Sequence, residues 1–134
     1  MNNEAAVDKL REALKLCSIH NERMQYAFNK VKHYFPLDET SYNKLSKDDL
    51  SYIDQLIFRF SKLQDSMGNR LFPALLKCLG EDIEAKPFID ILTTLERLEL
   101  IDDHRIWLEL RETRNIVTHE YPFIDSEIIE GLNC

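Results

Sequence analysis

The chain has 134 residues, 44% of them hydrophobic and 31% charged, with three glycines and four prolines; that is one packed domain rather than two, and too apolar to stay disordered. Gly68, Gly80 and Gly131 stand too far apart to form a phosphate cradle of the P-loop or dinucleotide-binding kind. Seventeen basic against 24 acidic residues leave a net charge of −7, which argues against a general nucleic-acid coat, since phosphate binding usually needs a basic surface.

Apolar residues Val7, Leu10, Leu14, Cys17, Met24, Phe28 and Val31 step by three and four, with Asn21 in the gap. That spacing predicts a helix over roughly 3–34, stopped near Pro36. Residues 36–46, PLDETSYNKLS, read as a loop, and Ser46 with Asp49 forms a capping pair for the next helix. A second stripe runs from Leu50 through Ile53, Ile57, Phe60, Met67, Leu71 and Ala74 to Cys78, with Gln64 in its gap. Pro73 should kink or break that helix and Gly80 should stop it. Asn21 and Gln64 read as core polar residues or register-setters at a dimer seam, with no chemistry assigned to either.

Past an acidic link, Phe88, Ile91, Leu95 and Leu98 mark a third helix with Pro87 at its start. Asp102 and Asp103 open a fourth, through Ile106, Trp107, Leu110 and Val117, ending close to His119 because Pro122 pushes Tyr121 out of the helical region. A short fifth helix follows Ser126. The expected architecture is all-α, one domain over 1–134: a bundle of four to five helices with two long antiparallel members.

Cys17, Cys78 and Cys134 are scattered and form no C-x-x-C pair, which suits reduced thiols in a cytoplasmic protein rather than a disulfide or zinc framework. The first residues lack an apolar signal core, and no uninterrupted apolar run exceeds three residues, so no membrane association is expected. His119-Glu120 does not open a zinc H-E-x-x-H helix, because position 123 is Phe. Neither a metal site nor a cofactor is expected.

Arg114 lies on the apolar stripe of the fourth helix, between Leu110 and Val117, where an arginine needs either a partner acid or a groove to reach into. Asn115 and His119 are i, i+4 neighbours on an adjacent face, so Arg, Asn and His can converge near one helix end. The plain alternative is a snorkelling or ion-paired arginine and a histidine that complements the helix dipole.

Arg114-Asn115-x-x-x-His119-Glu120-Tyr121 resembles the Arg-x4-His-x-Tyr motif of HepT-type toxins, within the all-helical HEPN superfamily. A second Arg-x6-His match, Arg97 to His104, has Leu98 where a polar residue usually follows the arginine and is set aside. The two long helices before a motif-bearing helix extend the resemblance over most of the chain, and it is tight over 114–121.

The resemblance implies a metal-independent endoribonuclease toxin of a toxin–antitoxin module, cleaving RNA rather than DNA in a cleft at a homodimer interface. His119 would transfer protons around the attacking 2′-OH or the leaving oxygen, Arg114 would hold the scissile phosphate, and Asn115 would orient one of them. It also implies a nucleotidyltransferase antitoxin that adenylylates Tyr121, placing bulk and negative charge beside the cleft. The alternative is a non-catalytic companion subunit of a nucleotidyltransferase that binds its substrate or nucleotide.

Charge distribution constrains both readings. Residues 81–134 hold fourteen acids against five bases, so a basic RNA groove must come from elsewhere. Lys9, Arg11, Lys15, Arg23, Lys30 and Lys32 of the first helix are candidates, and the acidic block suits docking of a partner chain.

Overall fold

The structure, a computed structural model, describes residues 3–120 and 126–134 and is all-helical, with no strand among the described residues. Helix α1 covers Asn3–Val31 and tightens into a 3-10 turn, Lys32–Tyr34, as expected ahead of Pro36. Helix α2, Glu39–Asn43, lies inside the segment expected to be loop. Its origin is local: Asp38 accepts from the Ser41 backbone N–H at 2.7 Å, and the Ser41 hydroxyl accepts from the Asp38 N–H at 2.9 Å. This reciprocal box nucleates one turn without any apolar periodicity.

Helix α3, Lys47–Ser66, starts at the expected cap, with Ser46 Oγ accepting from the Asp49 N–H at 3.1 Å. It runs through a wide π-type turn, Met67–Leu71, into α4, Phe72–Cys78. Pro73 sits in the first turn of α4; in the interior of one unbroken regular helix its missing N–H would be costly. The widened turn just before it absorbs the defect, so the long helix is bulged rather than cut. Gly80, at φ 80°, then closes α4, its N–H donating to Lys77 O and that of Glu81 to Leu76 O.

α1 and α3 are antiparallel, as the pairs His20–Arg59, Arg23–Gln55 and Tyr26–Tyr52 show. The buried seam of α1 is Ala13, Cys17, His20, Ala27 and Val31. It is rotated by about one residue from the apolar stripe: Leu14 is 51% exposed and Asn21 faces outward, so the buried polar residue is His20. Small alanines let the two long helices approach, a demand that hydrophobicity alone does not reveal. Gln64 is buried as expected.

Helices α5 (Phe88–Arg97), α6 (His104–Glu120) and α7 (Ser126–Asn133) complete the bundle. Two cores hold it together: Phe72, Leu76, Leu92, Leu95 and Trp107 at one end, and Val31, Ile53, Ile57 and Val117 at the other. Trp107 and Val117 therefore pin α6 at both ends of its length and fix its rotation. Asn133 locks α7 to the turn after α1, accepting from the Leu37 N–H at 2.6 Å and donating to Leu37 O at 2.8 Å. No described helix is long and apolar enough to cross a membrane.

Candidate functional site

The start of α6 is clamped to α5. Glu96 Oε2 accepts from the His104 N–H at 2.7 Å and lies 2.9 Å from His104 Nδ1. Asp103 accepts from the Arg105 N–H at 2.9 Å and from its guanidinium at 2.8 Å, which together hold the Asp103 carboxyl down to about 2. The same contacts from His104 lower Glu96. Glu96, Asp103 and His104 lie close enough together to share a cation. Their contacts to the N-terminus of α6 and to Arg105 already give these atoms a task, which is to hold the helix start.

Trp107 next fixes the helix face, meeting Phe72 edge-on with ring centroids 4.9 Å apart and lying over Gly68, where an added Cβ would stand 3.5 Å from the indole. Two turns on, Arg114 emerges toward the long helix. Its Nη2 donates to Asp65 Oδ2 at 3.2 Å and its Nη1 to Asn115 Oδ1 at 3.1 Å. Asp65 is thus a partner acid of the kind an arginine on this stripe needs. One turn further, Thr118 meets Ser61 with hydroxyl oxygens 2.9 Å apart, so α6 and α3 register antiparallel across these two pairs.

Gln64, Asp65 and Asn69 of the long helix face Trp107, Arg111, Arg114 and Asn115 of α6 across a polar cleft of about 50 Å³. Arg114 remains half-buried, its side chain 23% exposed against 46% for Asp65. Three groups of this wall are buried without a hydrogen-bond partner among the described residues: Arg114 Nε, Trp107 Nε1 and the Gln64 amide. Each such group costs about 1–3 kcal/mol while unpaired. Together they make the cleft a place where polar atoms of a ligand or of water relieve a standing penalty.

Of the residues singled out from the sequence, Arg114 and Asn115 come together here. The backbone of His119 belongs to α6, one turn past Asn115; its side chain, and Tyr121 entirely, lie outside the described residues. Asp65, Gln64, Asn69, Trp107 and Arg111 were not read as site residues. Gln64 had left a signal as the polar break in an apolar stripe; Asp65 had none, because only the pairing of α3 with α6 sets it opposite Arg114. Among the expected basic candidates, Lys9 lines a separate groove of about 390 Å³ with Arg70 and Lys77, Arg11 lies 4.0 Å from Asp8, and Lys30 lies over the Tyr26 ring.

Comparison of the chain with family models, curated proteins and solved structures finds no match in any of the three.

Proposed function

We propose that this chain is a metal-independent endoribonuclease of the HepT type, the toxin of a cytoplasmic toxin–antitoxin module. On this reading it acts as a homodimer whose two motif-bearing helices face a common RNA cleft. One observation carries it. Arg114 stands half-buried in a polar cleft, beside Asn115 and on the same helix α6 as His119, with donors around it that have no partner among the described residues.

In that cleft Arg114 grips the scissile phosphate and offsets the charge gained in the transition state. The ribose 2′-oxygen bonds to phosphorus and the 5′-oxygen leaves. His119 takes the proton from the 2′-OH or delivers one to the leaving oxygen, and the second copy of the motif supplies the complementary transfer. Asn115, bonded to Arg114, orients the guanidinium. A nucleotidyltransferase antitoxin silences the site by adenylylating Tyr121, which adds negative charge where the RNA phosphate binds.

Replacing His119 with Ala should leave the fold intact and abolish both RNA cleavage by the purified protein and growth arrest on expression. Cleavage should persist in EDTA. Full activity of the variant, or a requirement for added magnesium, overturns the reading. The Asp65–Arg114 pair favours a second reading, a non-catalytic companion subunit of a nucleotidyltransferase, because an arginine already answered by a carboxylate can hold a phosphate without driving its cleavage. Purified wild-type protein that binds nucleotide or RNA and never cleaves it selects that reading.

A further inference from the structure

We propose that the ridge of α3 bearing Phe58, Arg59 and Lys62, together with Arg23 on α1, is a landing site for single-stranded RNA that leads the strand to the Arg114 cleft. The inference rests on the ribonuclease reading for what happens at the cleft, and on independent observations for the ridge itself.

The first observation is charge. Carboxylates answer some bases of this chain of net charge −7: Glu81 for Arg97, Asp103 for Arg105 and Asp65 for Arg114. Three bases without such a pair, Arg23, Arg59 and Lys62, gather around His20. Among the described residues no carboxylate pairs within 4 Å with Arg23, Arg59 or Lys62. His20, buried on the inner face of α1, registers the same field. Burial lowers its pKa first, and then Arg59, Lys62 and Arg23, all cations, push it down further. An unneutralised positive patch on an acidic protein gathers counterions that a polyphosphate displaces.

The second observation is Phe58. It is half exposed, with the Arg59 guanidinium 5.2 Å and the Lys62 ammonium 5.7 Å from its ring centroid. An exposed ring between two cations is a platform on which a base stacks while its phosphates meet the charges. Arg59 is also held in place: its Nη1 donates to His20 Nδ1 at 3.1 Å. His20 is a positioning residue here, an acceptor that sets the guanidinium without neutralising it. A second copy of this chain is a poor occupant, because a two-fold interface centred on Phe58 would bring like charges together.

The third observation is placement. Phe58 and Asp65 are seven residues apart on α3, about 10 Å of helix rise, and Lys62 lies between them. Ser61 meets Thr118 and Asp65 meets Arg114, so the ridge borders the same stretch of α6 that carries Asn115 and His119. One strand stacked on Phe58 reaches the cleft without leaving the α3 surface.

The test uses a fluorescein-labelled 12-nucleotide single-stranded RNA and fluorescence anisotropy, in a His119→Ala background so that the probe stays intact. Arg59→Gln with Lys62→Gln should weaken binding at least tenfold at 0.1 M salt and flatten the slope of log affinity against log salt by about 1.4, the share of two charges. Phe58→Ala should weaken binding about tenfold and leave the slope unchanged. Lys62→Gln alone, at an exposed position, should flatten the slope by about 0.7 and covers the case in which the double variant misfolds. Affinity and slope equal to the parent in all three overturn the proposal. So does a Phe58→Ala protein that loses its dimer, or its hold on a nucleotidyltransferase partner, with RNA affinity intact. The two readings fail separately: wild-type protein that binds RNA through this ridge and cleaves nothing overturns the ribonuclease reading and leaves the ridge standing.

Discussion

Replacing Asp65 with Asn separates a phosphate-gripping Arg114 from one that only props the bundle. The pair is 3.2 Å long, with the arginine 23% and the aspartate 46% exposed. At that distance the Coulomb term runs from about 1 kcal/mol in water to about 5 kcal/mol at an effective dielectric of 20. Half-exposure of Asp65 discounts it toward the low end, and an asparagine oxygen can still accept from Nη2. The expected cost is therefore about 1 kcal/mol, a fall of about 3–5 °C in midpoint for a chain of this size. Affinity for phosphate should move the other way. A carboxylate and a phosphate competing for one guanidinium repel each other, and removing the carboxylate should tighten binding of a 2′-O-methyl trinucleotide, which cannot be cleaved, by about tenfold or about 1.4 kcal/mol. Thermal unfolding and calorimetric titration read the two effects independently. A loss of 3 kcal/mol or more with unchanged or weaker binding refutes the reasoning, because breaking a truly buried pair costs that much. Arg114 would then be a strut.

Gln64→Leu should stabilise the protein by about 1–2 kcal/mol in urea unfolding, because it removes a buried amide with no partner among the described residues, and should also lower RNA cleavage; a loss of stability means that the amide is satisfied. Gly131→Ala places a Cβ 2.7 Å from Val117 Cγ2, a stiff and buried side chain, and should cost about 1–3 kcal/mol; an unchanged midpoint refutes the docking of α7 on α6. His20 has a lowered folded pKa, so the unfolded chain takes up its proton first as pH falls below 6.5. Stability it supplies is complete above that pH and drains away below it until the folded pKa is passed, and His20→Asn should flatten the fall in urea midpoint between pH 7.5 and 5. Equal slopes in variant and parent sink that account.

Most helix starts and stops are legible from local signals. The Ser46 cap, Pro87, the Asp102-Asp103 start and Gly80 are short-range chemistry, and each stands where its chemistry demands. The misread seam of α1 has its signal in a neighbouring element. Leu14 fits an apolar stripe as well as Ala13 does, and only the closeness of α3 selects the smaller residue for the seam. The short α2 escaped because a capping box carries no periodicity. At the site, Arg114 was conspicuous as a charge on an apolar face, and the sequence could pose its two outcomes, an acid or a groove, without choosing. Both occur together: Asp65 answers one nitrogen of the guanidinium, and the cleft leaves another unanswered.

That partial answer bears on how an acidic chain could handle RNA, as the proposed ribonuclease reading requires. Acids are not spread as a uniform shield: Asp103 is spent on Arg105, Glu96 on the start of α6, and Asp65 on Arg114. Each of these pairs cancels locally and projects little field beyond a Debye length of about 8 Å. Among the described residues the cations of the α3 ridge have no such partner, so their field reaches solvent on a chain whose net charge is negative. Net charge then selects against general nucleic-acid binding, and on the proposed reading the local imbalance would decide where a strand lands. Asp65 stands at the meeting point of the two regimes, one helix turn from Lys62 and bonded to Arg114. On the ribonuclease reading, a phosphate arriving along the ridge would meet it first, and displacing it would turn a bound strand into one gripped at the motif.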